Sequence, residues 1–139
     1  MSVIITDSGF HGEDWPHGFV DPEALGRLPC ALQLGVDLKA DDTPERLVPH
    51  FPRIGLIRIR FAHFTDGRGF SLAQRLRTLG YRGRLRALGH VLADQYTMAR
   101  RSGFDEVEIS AELALRQPPE HWRFYGNWRH HDYLSRMRA

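Results

Sequence analysis

Short segments that alternate apolar and polar side chains recur four times along the middle of the chain. They are residues 32–38, 56–61, 84–88 and 105–109. Each has the two-residue period of a β-strand, and a helix signal follows each one. The predicted helices begin near Pro44, after the cap Ser71, near His90 and after the cap Ser110. Four strand–helix repeats predict an α/β fold with an open, mainly parallel sheet.

The strands place apolar and charged side chains on opposite faces of the predicted sheet. The apolar face receives Leu32, Leu34, Val36, Leu38, Ile57, Ile59, Phe61, Leu85, Ala87, Val107 and Ile109. The other face, here called the charged face, receives Gln33, Asp37, Arg58, Arg60, Arg84, Arg86, Glu106 and Glu108. Burying unpaired charges costs several kcal/mol each, so we expect helices on the apolar face only. The sheet would then resemble half of a β/α barrel.

Two interpretations of the charged face stay open. Arg84 and Arg86 would face Glu106 and Glu108 across neighbouring strands, as an ion-pair ladder that keeps the sheet soluble. Alternatively, the charges line a polar concavity that binds a ligand, or a surface that a second subunit completes. Because a lone four-stranded sheet leaves its edges open, we expect a homodimer.

Both ends of the chain are less regular than its middle. Residues 1–30 predict an irregular N-terminal arm, in which residues 3–6 could form a short extra strand. Residues 118–139 form a tail rich in aromatic, arginine and histidine side chains. Such a tail can bind single-stranded nucleic acid by stacking, but it more often packs on its own domain or on a second subunit. We therefore predict one domain over residues 1–139, with no nucleic-acid partner.

Charge is distributed unevenly along the chain. Residues 1–52 hold nine acidic side chains against three basic ones, a balance of −6. Residues 53–104 hold eleven arginines against two acidic side chains, a balance of +9, although the whole chain carries only +2. This asymmetry favours an anionic ligand or an acidic partner, or an acidic first third that folds over the basic middle.

Composition narrows the class of protein further. Cys30 is the single cysteine, which excludes an intramolecular disulfide, a CxxC redox pair and a cysteine-ligated cluster within one chain. No apolar run approaches the roughly 20 residues that span a bilayer, and the first residues show no secretory signal. The histidines include no metal-binding spacing such as HExxH. We expect a cytoplasmic protein without a membrane partner, metal or cofactor.

The loop after the second predicted strand carries the most suggestive chemistry, because ligands of parallel sheets bind beyond the carboxyl ends of the strands. Gly67 and Gly69 allow a tight turn, and Arg68 offers a forked donor to an oxyanion at a helix N-terminus. The predicted anion ligands are Arg58, Arg60, Arg68 and Arg86, oriented by Asp66 and Gln95. The alternative is a plain turn followed by a helix cap.

Two other functions stay open. A small barrel-type enzyme would use His90 or Asp66 as its general acid–base, with the arginines holding an oxyanion. A non-catalytic scaffold would only dock onto a reductase. Direct redox chemistry has no visible flavin, nicotinamide or cluster motif in the sequence.

Several motifs between residues 54 and 104 resemble those of a known bacterial family. They are residues 61–71, residues 80–87, Asp94-Gln95 and residues 101–105. On these motifs the chain resembles domain of unknown function 934, whose members are generally encoded beside assimilatory sulfite reductase and often labelled as probable oxidoreductases. The resemblance implies an accessory role in sulfite reduction, with sulfite reductase or another sulfur-assimilation enzyme as partner. Its motif positions here are Asp66, Gly67, Arg68, Gly69, Ser71, Asp94 and Gln95, and we expect an acid in the family where this chain has His90.

Overall fold

A mixed α/β architecture is built around one sheet. The computed structural model describes residues 2–28, 33–61, 67–89, 91, 93–117, 120 and 122. Its strands are β1 (Ser2–Thr6), β2 (Gly9–His11), β3 (Leu34–Lys39), β4 (Ile54–Arg60), β5 (Arg84–Leu88) and β6 (Glu106–Ser110). Across the sheet their order is β2-β1-β6-β5-β4-β3. Neighbours from β3 to β6 are parallel, whereas β1 and β2 add antiparallel pairs, so the mainly parallel sheet is confirmed.

The helices in the described part of the chain follow the strands. They are α1 (Arg68–Thr78), α2 (Tyr96–Ser102) and α3 (Ala111–Arg116), with 3-10 helices at Pro22–Arg27, Pro44–Arg53 and Ala93–Gln95. None of them is long and apolar enough to cross a membrane. The helix predicted after β3 is a 3-10 helix that contains Pro49 and Pro52. Proline lacks the N–H that an α-helix requires, which accounts for the difference.

Two predicted helix starts need correction. Helix α1 begins at Arg68, and the Ser71 amide donates to the Gly67 carbonyl, so the capping role predicted for Ser71 is wrong. The helix predicted over residues 90–102 is a short 3-10 turn at Ala93–Gln95 followed by α2. Ser110 does cap α3, because its hydroxyl accepts from the Leu113 amide.

The apolar core joins one face of the sheet to the helices. Strand residues such as Val36, Ile57, Ile59, Leu85, Val107 and Ile109 belong to one buried cluster. Buried residues of the helices, among them Leu25, Leu47, Leu76, Ala99 and Leu113, complete the same cluster. The helices thus cover the apolar face of the sheet. Another part of the chain covers the charged face.

Residues 12–20, here called the strap, run across the charged face without helical or strand structure until Val20. Val20 forms a parallel bridge with Val36, donating to the Gly35 carbonyl and accepting from the Asp37 amide. The strap therefore also covers part of the outer edge of β3, which would otherwise offer unpaired groups to another strand.

Candidate functional site

Arg86 lies in the middle of the charged face and is fully buried. Its guanidinium donates to Glu106 at 2.5 Å and to Glu108 at 3.0 Å, both on neighbouring β6. It also forms a two-pronged pair with the strap residue Glu13, at 2.7 and 3.0 Å. Three carboxylates therefore compensate one buried guanidinium, as a buried charge requires.

Arg58 extends this network toward β3. Its guanidinium forms a two-pronged pair with Asp37, at 2.6 and 2.9 Å, and reaches Glu108 at 3.1 Å. The Phe19 ring of the strap lies 3.8 Å from the guanidinium carbon, which is cation–π geometry. Arg58 and Arg86 thus share Glu108, and the ion pairs continue across the strands.

The strap fits the charged face closely. Asp14 pairs with Arg84 at 2.9 Å. The Trp15 indole packs where Gly35 and Gly55 leave room, since an added Cβ would lie 2.5 Å from its Nε1 at Gly35 and 2.6 Å from its ring at Gly55. Gly55 is the unpaired residue of a bulge in β4. The acidic first third of the chain does fold over the basic middle.

These contacts show which of the predicted anion ligands already pair with carboxylates of the chain. Arg58 and Arg86 donate to carboxylates of the same chain, and Arg86 has no exposed surface. Both arginines are therefore already engaged within the chain. The ladder interpretation describes the charged face of the free protein better than an open concavity does.

Docking of the strap is expected to weaken in acid. Burial alone would raise the pKa of the Glu13 carboxyl, but hydrogen bonds from Arg86 and the Trp15 amide outweigh it and lower that pKa. The hydrogen bond from Arg84 lowers the pKa of Asp14. A carboxylate with a lowered pKa stabilises the fold above its ordinary pKa of about 4 and loses this contribution as the pH falls further.

The measurement is urea unfolding of the wild type and of the double variant Glu13→Gln/Asp14→Asn between pH 7 and pH 2.5. We expect the wild type to be more stable at pH 7 by at most about 1 kcal/mol per carboxylate, because both are partly exposed. The difference should shrink as the pH falls below about 4, the ordinary pKa of a carboxyl group. A difference that stays constant over this range would contradict the assigned ion pairs.

A cleft opens where the parallel strands end. Lys39 and Arg60 are the last residues of β3 and β4 and lie side by side in the register, while Gly89 follows β5. Arg68, the first residue of α1, closes the cleft from the helix side. The cavity measures about 460 Å³ and is lined by Lys39, Ala40, Asp41, Arg60, Phe61, Arg68, Leu88 and Gly89. The described lining thus carries three cationic side chains and one acidic one.

Two glycines set the position of Phe61, which lines this cleft. A Cβ on Gly69 would collide with the Phe61 ring, so Gly69 lets α1 approach the end of β4. Gly89 adopts a φ of +148°, and a Cβ there would lie 2.8 Å from the Phe61 carbonyl oxygen. Side chains at either position would displace Phe61 from the cleft wall.

The other predicted site residues lie in different places. Gly67, Arg68 and Ser71 line an adjoining cleft of about 730 Å³ on the other side of Arg68. Asp94 and Gln95 lie in the 3-10 helix ahead of α2, and neither lines the cleft at Lys39 and Arg60. The acid–base candidates Asp66 and His90 lie outside the described residues.

Sequence reasoning overlooked Lys39 and the strap carboxylates. The sequence offered a signal for Lys39, because this residue ends β3 just as Arg60 ends β4. For Glu13 and Asp14 it offered no signal beyond their charge. No group of three or more metal-ligating side chains occurs within the described ranges.

Comparison with known proteins places the chain in a family. No curated protein matches it. The model of a family described as "Bacterial protein of unknown function (DUF934)" matches residues 35–133, which include the charged face from Asp37 to Glu108 and the cleft at Lys39 and Arg60. The match confirms the resemblance seen in the sequence. The chain therefore belongs to the bacterial family DUF934.

Proposed function

We propose that the protein binds a small anionic molecule in the cleft at the carboxyl ends of β3, β4 and β5. The observation that carries the proposal is the convergence of Lys39, Arg60 and Arg68 on one cavity from three separate elements. Asp41 is the one acidic side chain in the described lining. Parallel α/β sheets place their ligands at this edge.

Exposure distinguishes Arg60 from the arginines of the ladder. Its side chain is 57% exposed, and its ion pair with Asp37 is long, at 3.7 Å. Asp37 is already engaged by both prongs of Arg58. An oxyanion in the cleft can therefore take hydrogen bonds from Arg60 without breaking the network on the charged face.

The N-terminus of helix α1 also favours a negative charge in the cleft. It runs for 11 residues and starts at Arg68, so the positive end of its dipole and its first-turn amides lie beside the cleft. Arg68 lines both this cleft and the adjoining one. A ligand at Arg68 would thus meet a side-chain charge and a helix N-terminus together.

The family resemblance suggests the physiological setting. Its association with assimilatory sulfite reductase points to an accessory role in sulfur assimilation, with a reductase or another enzyme of that pathway as partner. Sulfite and sulfate are accordingly the first anions to test. We also infer a sheet that resembles half of a β/α barrel, with about four strand–helix repeats and the ligand at its open end.

Calorimetric titration with sulfite, sulfate and phosphate at low ionic strength tests the proposal. We expect Arg68→Ala and Arg60→Ala each to weaken binding by about 1.5–3 kcal/mol, the loss of a charge-assisted hydrogen bond, which is roughly 10- to 150-fold in affinity. Arg82→Ala is the matched control, since Arg82 is exposed and lies ahead of β5 at the opposite end of the strands. Equal affinity in all three variants would refute the site.

The homodimer stays a prediction, and the sheet edges lend it little support. Val20 bonds to the outer edge of β3, and β2 on the other side is only three residues long. We expect light scattering at high micromolar concentration to give twice the mass of one chain. A monomer at that concentration would exclude the dimer.

A further inference from the structure

The strap holds the charged face mainly through side chains. Glu13 and Asp14 pair with Arg86 and Arg84, and the Phe19 ring stacks on Arg58. Main-chain hydrogen bonds to the sheet occur at Val20, at the end of the strap. This pattern, two adjacent carboxylates followed by aromatic rings, resembles a peptide ligand more than a strand of the sheet.

The surface also contains a recess for the first of these rings. Trp15 packs against Gly35 on β3 and Gly55 in the bulge of β4, where any larger residue would collide with it. Its indole nitrogen donates to the Gly18 carbonyl at 2.8 Å, which folds the strap back around the ring. The charged face therefore offers a notch for one ring, an arginine fork for one carboxylate, a single arginine donor for a second and a guanidinium plane for a second ring.

The family match covers the charged face but not the strap. The match to the family begins at residue 35, so Asp37, Arg58, Arg84 and Arg86 lie inside it. The strap, residues 12–20, lies entirely outside it. The matched part of the chain thus contains the binding surface without the segment that fills it here.

We propose that the charged face is a docking surface for an acidic–aromatic segment of a partner protein, and that the strap competes with that segment from within the same chain. The segment would carry two neighbouring carboxylates with an aromatic residue directly after them and another a few residues later. This surface is separate from the anion cleft, so the inference goes beyond the proposed function.

The strength of the strap contacts suits such competition. Glu13 and Asp14 are 40% and 67% exposed, and ion pairs of exposed carboxylates contribute little to stability. A short tether nevertheless gives the strap an effective concentration of order millimolar. To displace the strap, a partner segment must therefore compete with that effective concentration. Weakening the strap should make the surface accessible.

The test uses a fluorescent peptide with the sequence of residues 12–20, added to the full-length wild type and to the full-length variant Trp15→Ala/Phe19→Ala. We expect the variant to bind the peptide at least tenfold more tightly than the wild type, measured by fluorescence anisotropy. A peptide with glutamine and asparagine in place of its two acids should not bind. Release of the strap is followed by hydrogen exchange at the Asp37 amide, which donates to the Val20 carbonyl.

Three results would overturn the proposal. If the Asp37 amide of the variant exchanges fast but the variant does not bind the peptide, the strap has a structural role only. If the neutral peptide binds as tightly as the acidic one, the arginines do not recognise the segment. Dimerisation of the variant by exchange of straps would make a second copy the occupant. If that variant does not fold, Glu13→Gln/Asp14→Asn replaces it, with the same expected gain over the wild type.

Discussion

Replacing Arg86 by methionine is expected to lower the free energy of unfolding by about 3 kcal/mol, a large part of the 5–15 kcal/mol that stabilises a typical domain. The substitution keeps most of the side-chain volume but removes the charge between Glu106 and Glu108, whose side chains are only 5% and 6% exposed. The loss falls at the lower end of the range for a broken buried pair, because Arg84 and Arg58 still reach these carboxylates.

Urea unfolding followed by circular dichroism measures this effect. Arg82→Met is the control, because that exposed arginine should change stability by no more than about 0.5 kcal/mol. Adding Glu106→Gln to Arg86→Met should recover part of the loss, since it removes one of the two buried carboxylates. A loss below 1 kcal/mol in Arg86→Met would mean that the charged face is more hydrated than the ion pairs indicate.

Replacing Arg77 by alanine should cost about 2–3 kcal/mol of unfolding free energy. The guanidinium of this α1 residue donates to the carbonyls of Tyr81, Gly83 and Gly103 at 2.8–3.0 Å, and to Asp105 at 2.9 Å. It thereby joins the end of α1 to the segments that lead into β5 and β6. Its loss leaves several half-buried carbonyls with fewer donors.

Arg75→Ala is the matched control for Arg77→Ala, since both residues lie on α1 and Arg75 is 63% exposed beside Glu45. We expect the control to change stability by less than about 0.5 kcal/mol. Arg77→Lys should resemble the alanine variant more than the wild type, because one ammonium cannot reach carbonyls on two sides as a guanidinium does. Similar stabilities for Arg75→Ala and Arg77→Ala would contradict the bridging role.

Local signals in the sequence predicted individual strands and helix ends. Alternation located β5 at residues 84–88, and Gly80 and Gly103 end α1 and α2 with φ values of +104° and +110°. The period-two pattern also separated the apolar from the charged side chains of the described strand residues, whereas Leu32 lies outside the described residues. These features depend on a few neighbouring residues, which is why the sequence reveals them.

The charge asymmetry indicated that the acidic first third could fold over the basic middle, but it could not identify individual contacts between distant residues. The pairing of Glu13 with Arg86 joins residues 73 positions apart, and no local pattern indicates it. The strap therefore appeared as an irregular arm, and the arginines beneath it appeared to be available for a ligand. Position along the strand explains the outcome: Arg58 lies within β4 under the strap, whereas Arg60 ends that strand at the open cleft.

The most direct test of the account is amide chemical-shift mapping of the ¹⁵N-labelled protein during titration with sulfate at low ionic strength. Binding at the carboxyl ends of the strands predicts that the largest shifts occur at Lys39, Arg68, Gly69 and Gly89, which line or adjoin the cleft. Amides of the strap should stay unchanged. Largest shifts at Glu13 to Val20, or none that saturate, would contradict an anion site in this cleft.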